Sequence, residues 1–409
     1  MRILYVASGI PLPGHYGGST HTLEVARGLR ARGHEVLVVA AHRPGWSGVR
    51  PFFRVEHGEV DGLPVVYVDI PKGLSFLGMG LIGRVVRAFG PQVVMERYYN
   101  FAGAGIYWAQ RLGIPAVLEV NALIVDPPEV WKRRLDDLLG GPMRRWALWQ
   151  CRGAARIVTP LHTTVPPEIP RERVVEIPWG ANTERFRPEL RQERAEELEA
   201  LRARLDLPRG ARVAAFVGSF RPWHGAREFV EAMADLAYRR DDGFGLLVGD
   251  GPQRRAVEAL ARARGVYGRL RFVGHVPYGD VPLYLALADV GVAPFRTDAH
   301  PALRAAGFFW SPLKVFEYMA MGLPVITSEI YPLNQVVRPH EEGLLVPEGA
   351  VQALAEAMAF LLHNDNVARE MGRRARHRVV AEYSWARHCA RLEAVLEEAA
   401  RAHGTGARR

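Results

Sequence analysis

Cysteine is nearly missing from this sequence. Two among 409 residues, Cys151 and Cys389, are too few for a disulfide framework or a thiolate metal site, and they fit a reducing compartment. Lysine is almost as scarce: the 53 basic residues include only Lys72, Lys132 and Lys314. A net charge of +9 favours anionic partners. The arginines are scattered rather than gathered in a stripe, however, so nucleic acid is not an expected partner. No stretch approaches about 18 uninterrupted apolar residues, and the apolar start M-R-I-L-Y-V-A-S is too short for a signal peptide, so the expected location is the cytoplasm. The histidines show no i, i+4 pairing with a carboxylate partner, and no metal site is expected. No strand leads into a G-x-G-x-x-G turn followed by a ribose-binding acid, which argues against a nicotinamide oxidoreductase.

Hydrophobic content of 48% and charged content of 24% are those of a globular chain, and the length admits two domains. The scarcity of lysine draws attention to Lys314, in G-F-F-W-S-P-L-K-V-F-E-Y-M-A-M-G-L-P-V-I-T from Gly307 to Thr327. Ser311 before Pro312 predicts a capped helix start. Gly322 predicts the end, followed by a strand at Val325-Ile326-Thr327, so the expected helix runs from Pro312 to Met321. Lys314 then falls in the first turn, where the helix dipole already presents about half a positive charge. A bound anion resolves that conflict, with the free N–H groups of Val315 and Phe316 as further donors. Glu317 follows on the same face, roughly 5 Å along the axis. This suits a nucleoside diphosphate, with phosphates at the helix start and a carboxylate accepting both ribose hydroxyls. The plain alternative is an amphipathic helix with a surface Lys/Glu pair.

Arg2 to Ser8 reads as a strand leading through a loop with Gly17-Gly18 into a helix over Thr22 to Arg32 and a second strand at Glu35 to Ala40. Paired glycines there let backbone amides approach a phosphate, or merely supply flexibility. Strands at Val65 to Ile70, Gln92 to Glu96, Pro115 to Val120, Arg156 to Thr159 and Val174 to Ile177 alternate with helical stretches, which predicts a parallel, doubly wound sheet. Its ligand-facing loops follow the strand C-termini, where Glu96-Arg97-Tyr98-Tyr99, Glu119 and Asn121 lie. Ile177 to Pro188 reads as a linker. Beyond it the pattern restarts, with strands at Arg212 to Val217, Phe244 to Val248, Leu270 to Val273 and Val290 to Ala293. Domains are expected at 1–180 and 181–383, with a ligand cleft between the sheets and a terminal segment at 384–409.

Two stretches of the first half are more apolar than a helix layer requires. Gly73 to Gly80 is an apolar, glycine-rich loop. Glu129 to Arg152 reads as one helix that mixes Trp131, Trp146 and Trp149 with Lys132, Arg133, Arg134, Arg144 and Arg145. That mixture suits a surface lying on anionic lipid, or else core-facing tryptophans beneath a solvated basic face.

With these pieces in order, the chain resembles the retaining GT-B glycosyltransferases of family 4 over nearly its whole length. The resemblance rests on G-G-S-T-H-T-L-E-V-A-R-G-L-R-A-R-G-H-E-V, I-P-W-G-A-N-T-E-R-F-R-P, F-V-G-S-F-R-P-W-H-G, L-L-V-G-D-G-P, R-F-V-G-H-V and S-P-L-K-V-F-E-Y-M-A-M-G-L-P-V-I, in that order. It implies an α/β fold of two Rossmann-like, doubly wound parallel-sheet domains, acceptor domain first and nucleotide-sugar domain second, with the helix from Trp385 crossing back to the first. It implies Glu317 as the ribose ligand. Gly17, Gly18 and the amides of Val315 and Phe316 become donor-phosphate contacts, and Gly274, His275 and Val276 the loop whose backbone reads the base. Phe309, Trp310 and Ser311 become the donor-sugar region.

Three departures from the family pattern matter. Where the family commonly carries an arginine and a lysine in the G-S-F-R-P-W-H-G stretch, this chain has Ser219 and His224. Arg221, His224 and Lys314 are then the expected partners of the leaving diphosphate, His224 best in its protonated form. The first carboxylate of the family's paired-glutamate motif falls on Phe309. The histidine often found near the reacting sugar falls on Asn121, within E-V-N-A, with Glu119 beside it to orient acceptor or donor. Asn121, Glu119, His224 and Lys314 are therefore the expected catalytic residues.

The implied activity is retaining transfer from a UDP- or GDP-sugar to a glycan or lipid-linked acceptor. The product is α-linked and belongs to bacterial cell-surface polysaccharide or glycolipid synthesis. No metal or other cofactor is implied, and peripheral contact with the inner face of the membrane is. Attack from the side on which the diphosphate leaves, with the phosphate taking the acceptor's proton, asks the protein for positioning and charge stabilisation. The second reading, prompted by Phe309, Ser219 and Asn121, is a GT-B protein that binds sugar nucleotides without turnover.

Overall fold

The computed structural model describes residues 1–14, 17–42, 55–70, 72–239 and 242–406; residues 15 and 16 of the expected glycine-rich loop lie outside that set. The chain forms two compact units. Unit 1 comprises Met1–Trp179, Phe309–Ser311 and Trp385–Arg409, and unit 2 comprises Gly180–Phe308 and Pro312–Ser384.

Unit 1 is built on β1 (Arg2–Pro11), β2 (Glu35–Ala41), β3 (Val55–Val60), β4 (Leu63–Val68), β5 (Val93–Arg97), β6 (Ala116–Glu119), β7 (Arg156–Thr159) and β8 (Val174–Glu176). They lie in the order β3-β4-β2-β1-β5-β6-β7-β8, parallel except for the hairpin β3–β4. Ile3, Leu4, Tyr5, Val6 and Ala7 are buried in succession, the pattern of a strand covered on both faces. The hairpin turns on Asp61 and Gly62, with φ of 49° and 77°, the left-handed pair of a type I′ turn. The sequence analysis did not anticipate β3. Its exposed Glu56, His57 and Glu59 carry no apolar alternation and charge the sheet edge against pairing with another chain. Helix Gly17–Ala31 packs against helix Trp385–Gly406, and Gly28 permits the approach, since a Cβ there would lie 2.3 Å from Cys389 Sγ.

The single helix expected over Glu129 to Arg152 is instead two, Trp131–Leu138 and Pro142–Gly153. They are broken where Gly140 and Gly141 take φ of 80° and 76°. The expected apolar loop after β4 is a short 3-10 segment, Lys72–Gly78, that runs into helix Met79–Phe89.

Unit 2 carries β9 (Arg212–Val217), β10 (Gly243–Val248), β11 (Leu270–Gly274), β12 (Val290–Ala293), β13 (Val325–Ser328) and β14 (Gly343–Val346), in the parallel order β11-β10-β9-β12-β13-β14. Phe216, Phe229, Met233, Leu247 and Met358 centre its core. In each sheet the chain winds outward one way and then the other, reversing between β1 and β5 in unit 1 and between β9 and β12 in unit 2. Open α/β sheets bind ligands beyond the strand C-termini at such reversals. Among the described residues, no helix is long and apolar enough to cross a membrane.

Candidate functional site

In unit 2 the reversal is occupied by helix Leu313–Ala320. Tyr318 anchors it there: its hydroxyl accepts the Val217 N–H at 2.7 Å at the end of β9 and lies 3.5 Å from the Val292 carbonyl of β12. The helix start differs from the expected cap. Pro312 stands in the cap position with extended backbone, while Ser311 Oγ accepts the Trp179 N–H at 2.8 Å within unit 1. The Val315 N–H is also engaged, donating to the Pro312 carbonyl at 3.1 Å, so it is not the free phosphate donor that was expected.

Lys314 is where helix and strands converge. Its side chain is buried, 7% exposed, with Nζ 4.3 Å from the Phe216 ring centroid and 4.9 Å from that of Phe295. Nζ has no hydrogen-bond partner among the described residues. Gly218, at φ 141°, makes room for it, because a Cβ there would sit 2.9 Å from Nζ. Burial pulls the Lys314 pKa down to about 7, against the raising effect of the Glu317 carboxylate. Glu317 is itself buried one helical turn further on. A buried ammonium held by two ring faces alone is costly, and an arriving anion removes that cost.

The neighbouring loop supplies less charge than expected. His224 Nδ1 lies 3.2 Å from Ser219 Oγ. Burial first, then the charges of Lys314 and Arg221, hold its pKa down to about 2, so the imidazole is neutral. This overturns the expectation of a protonated His224. The exposed Arg221 lies over the Trp223 ring at 5.3 Å, leaving Arg221 and Lys314 as the cations of this edge. Gly274 closes β11 at φ 86° and its carbonyl accepts the Gly249 N–H at 2.8 Å; beyond it His275 is exposed and Val276 half-buried.

Unit 1 presents a different chemistry at its own reversal. Gly17 and Gly18 open the first helix, and the Gly18 carbonyl accepts from Thr22 Oγ1 at 2.9 Å. Behind them Glu119, at the end of β6, is fully engaged. Oε1 lies 3.1 Å from His21 Nε2, while Oε2 accepts from the Tyr5 hydroxyl and stands 3.5 Å from Arg97 Nη1. Arg97 Nη1 also reaches His21 Nδ1 at 3.0 Å. Burial and the Arg97 charge keep His21 well below its ordinary pKa, so Nδ1 accepts from Arg97 and Nε2 carries the proton toward Glu119. Glu119 is therefore not a sugar-facing group as expected; it is the hub of a buried network. Glu96 turns inward as well, accepting from the Gly103 and Ile106 N–H groups at 2.8 and 2.7 Å at the head of helix Ala104–Leu112.

Asn121 is placed as a site residue. Its Oδ1 accepts the Trp179 indole N–H at 2.9 Å, which fixes the amide orientation, and Nδ2 has no partner among the described residues. The Trp179 ring lies 4.5 Å from that of His21. His388 donates Nδ1–H to the Pro178 carbonyl at 2.8 Å and leaves Nε2 unpartnered, its pKa lowered by burial to about 4. Phe309 is buried with its ring 5.4 Å from Trp310, in unit 1 rather than beside Lys314. Tyr5, His21, Trp179, Trp385 and His388 were missed by sequence reasoning. Among the described residues no group of three His, Cys, Asp or Glu side chains is disposed to hold a metal ion.

Comparison with known proteins follows this division. Residues 198–378 match the family described as Glycosyl transferases group 1, and residues 16–180 match the Glycosyl transferase 4-like domain. The 2-deoxystreptamine glucosyltransferase of Streptomyces kanamyceticus is 29% identical over 63% of this chain, a match that spans 64% of that protein. The phosphatidyl-myo-inositol mannosyltransferase of Mycobacterium leprae is 28% identical over 94% of this chain and 93% of its own. The crystal structure of Anabaena Alr3699/HepE in complex with UDP superposes with a TM-score of 0.73 at 16% identity, covering 97% of this chain and 100% of that one. Family matches on both sheets, over most of the chain, make this protein a member of the group 1 glycosyltransferases of GT-B fold.

Proposed function

We propose that the protein transfers a sugar, with retention and without a metal, from a UDP- or GDP-sugar to a glycan or lipid-linked acceptor. The α-linked product would serve bacterial cell-surface polysaccharide or glycolipid synthesis at the inner face of the membrane. The observation that carries this reading is Lys314, a buried ammonium at the sheet reversal with no hydrogen-bond partner among the described residues and a buried carboxylate one turn away. A nucleoside diphosphate supplies the anion for Lys314 and Arg221 and two ribose hydroxyls for Glu317. As the glycosidic bond of the donor breaks, charge grows on the leaving phosphate, where Lys314 is already oriented and shielded from water. The acceptor hydroxyl enters on the same side and gives its proton to that phosphate, which asks for no enzymic base. Asn121 Nδ2 offers a fixed donor to a sugar hydroxyl, and the neutral His224 and Ser219 offer uncharged hydrogen bonds.

Thermal shift with UDP, GDP, ADP and dTDP tests the reading. One nucleotide, at about 100 times its Kd, is expected to stabilise by roughly 2.7 kcal/mol, and Glu317→Ala to abolish the shift. No shift from any nucleotide overturns the assignment. The neutral His224 and the phenyl ring at position 309 favour one second reading, a protein that binds the donor without turnover. A nucleotide shift accompanied by no product across soluble and lipid-linked acceptors would select it.

A further inference from the structure

Helix Trp131–Leu138, in the loop that follows β6, is built inside out. Its buried residue is Asp136, whose carboxylate accepts the Met143 and Arg144 N–H groups at 2.7 and 3.1 Å and so caps helix Pro142–Gly153. Trp131, Leu135, Leu138 and Leu139, spaced i, i+4, i+7 and i+8 along one face, are 67, 44, 83 and 63% exposed. Lys132, Arg134 and Arg145 are exposed beside them, and the Arg133 charge is matched by Asp137 at 2.8 Å. Trp146 and Trp149 do not share this face. They are half-buried, with the Trp146 indole donating to the Ala102 carbonyl at 2.7 Å. A second exposed apolar group, Leu74, Phe76 and Leu77, follows β4, with Phe76 packed on Phe101 at 6.3 Å. β4 and β6 stand two strands away from β1 on opposite sides, so the two apolar groups flank the reversal that holds Gly18 and Asn121.

We propose that this face seats unit 1 on an anionic lipid bilayer. Trp131 and the leucines enter the boundary between headgroups and acyl chains, while Lys132, Arg134 and Arg145 lie against lipid phosphates. The cations bordering the apolar stripe select lipid over a second copy of this chain, since a symmetric pairing would set like charges against one another. The choice of a lipid surface beside the site rests on the proposed lipid-linked acceptor; the surface itself stands on its exposure and charge.

Co-sedimentation of the full chain with phosphatidylcholine vesicles, with and without phosphatidylglycerol, is the test. The wild type is expected to partition into the anionic vesicles only, and less so at high salt. The pair Leu138→Ser and Leu139→Ser should lower partitioning about thirtyfold, and the pair Lys132→Glu and Arg134→Glu roughly tenfold or more. Both pairs should leave the melting temperature and any nucleotide-induced shift unchanged, because these side chains support no packing. Failure of the wild type to bind, variants that bind as well as it does, or a solution dimer dissolved by the same substitutions would each overturn the proposal. A missing nucleotide shift with vesicle binding intact would sink the donor assignment instead and leave this surface standing.

Discussion

Arg97 and Lys314 are both buried cations at the C-terminal edge of a parallel sheet, beside the point where strand order reverses. Arg97 is saturated by the Glu119 carboxylate and the His21 ring, and although burial pulls its pKa down, Glu119 holds it above the ordinary value. Lys314 has two ring faces and an empty space where Gly218 lacks a side chain. The first arrangement is complete without a ligand and serves to hold a shape; the second is complete only with one. Burial of charge alone therefore does not mark a binding site. The unspent hydrogen-bonding capacity does.

The comparison breaks most visibly at Arg97. Arg97→Met strands the Glu119 carboxylate in the core and should cost about 3–5 kcal/mol, read as a fall in the urea midpoint, while the nucleotide-induced shift in unit 2 persists. Equal loss of both would mean that Arg97 contacts the donor. Lys314→Met should do the reverse. Nucleotide affinity falls by about 2–4 kcal/mol in titration calorimetry, yet the ligand-free protein gains stability.

The sign follows from linkage. The unfolded chain keeps the lysine proton up to 10.5 and the fold keeps it only to about 7, so the penalty is full below pH 7 and fades as pH climbs toward 10.5. The gain in the variant is on the order of 3 kcal/mol in acid and shrinks as pH rises. Wild-type nucleotide affinity should weaken above pH 7, by up to about tenfold per unit, and that slope should vanish in the variant. The smallest effect is expected at Asn121, where Asn121→Ala should lower kcat by about tenfold with nucleotide Kd unchanged. An unaltered kcat removes Asn121 from the sugar site.

Much of the frame was legible in the chain itself. Strand positions fell within two residues where apolar runs were long, and Lys314 with Glu317 could be read from a dipole conflict in one local stretch. β3 and β14 were missed because an exposed charged edge and a short four-residue strand carry no strong period. Ser311 looked like a cap because local chemistry favours it there; the Trp179 amide, 132 residues away in the chain, claims its hydroxyl instead. The network of Tyr5, His21, Arg97 and Glu119 was invisible for a related reason. Each residue alone reads as core or as an isolated polar group, and only the parallel register of β1, β5 and β6 brings three of them side by side. His224 failed differently: its charge state is set by Lys314, 90 positions later, and by burial that no motif reports.

Asp136 has one further implication. A helix secured by its aspartate owes nothing to its leucines for staying folded, so the outward face is free to drift under selection without loss of the scaffold beneath it. Change at positions 131, 135, 138 and 139 can then be fast and cheap, and it lies on the loop after β6, a few residues beyond Asn121. The same short segment thus separates what must be inherited from what can be reinvented as the acceptor changes.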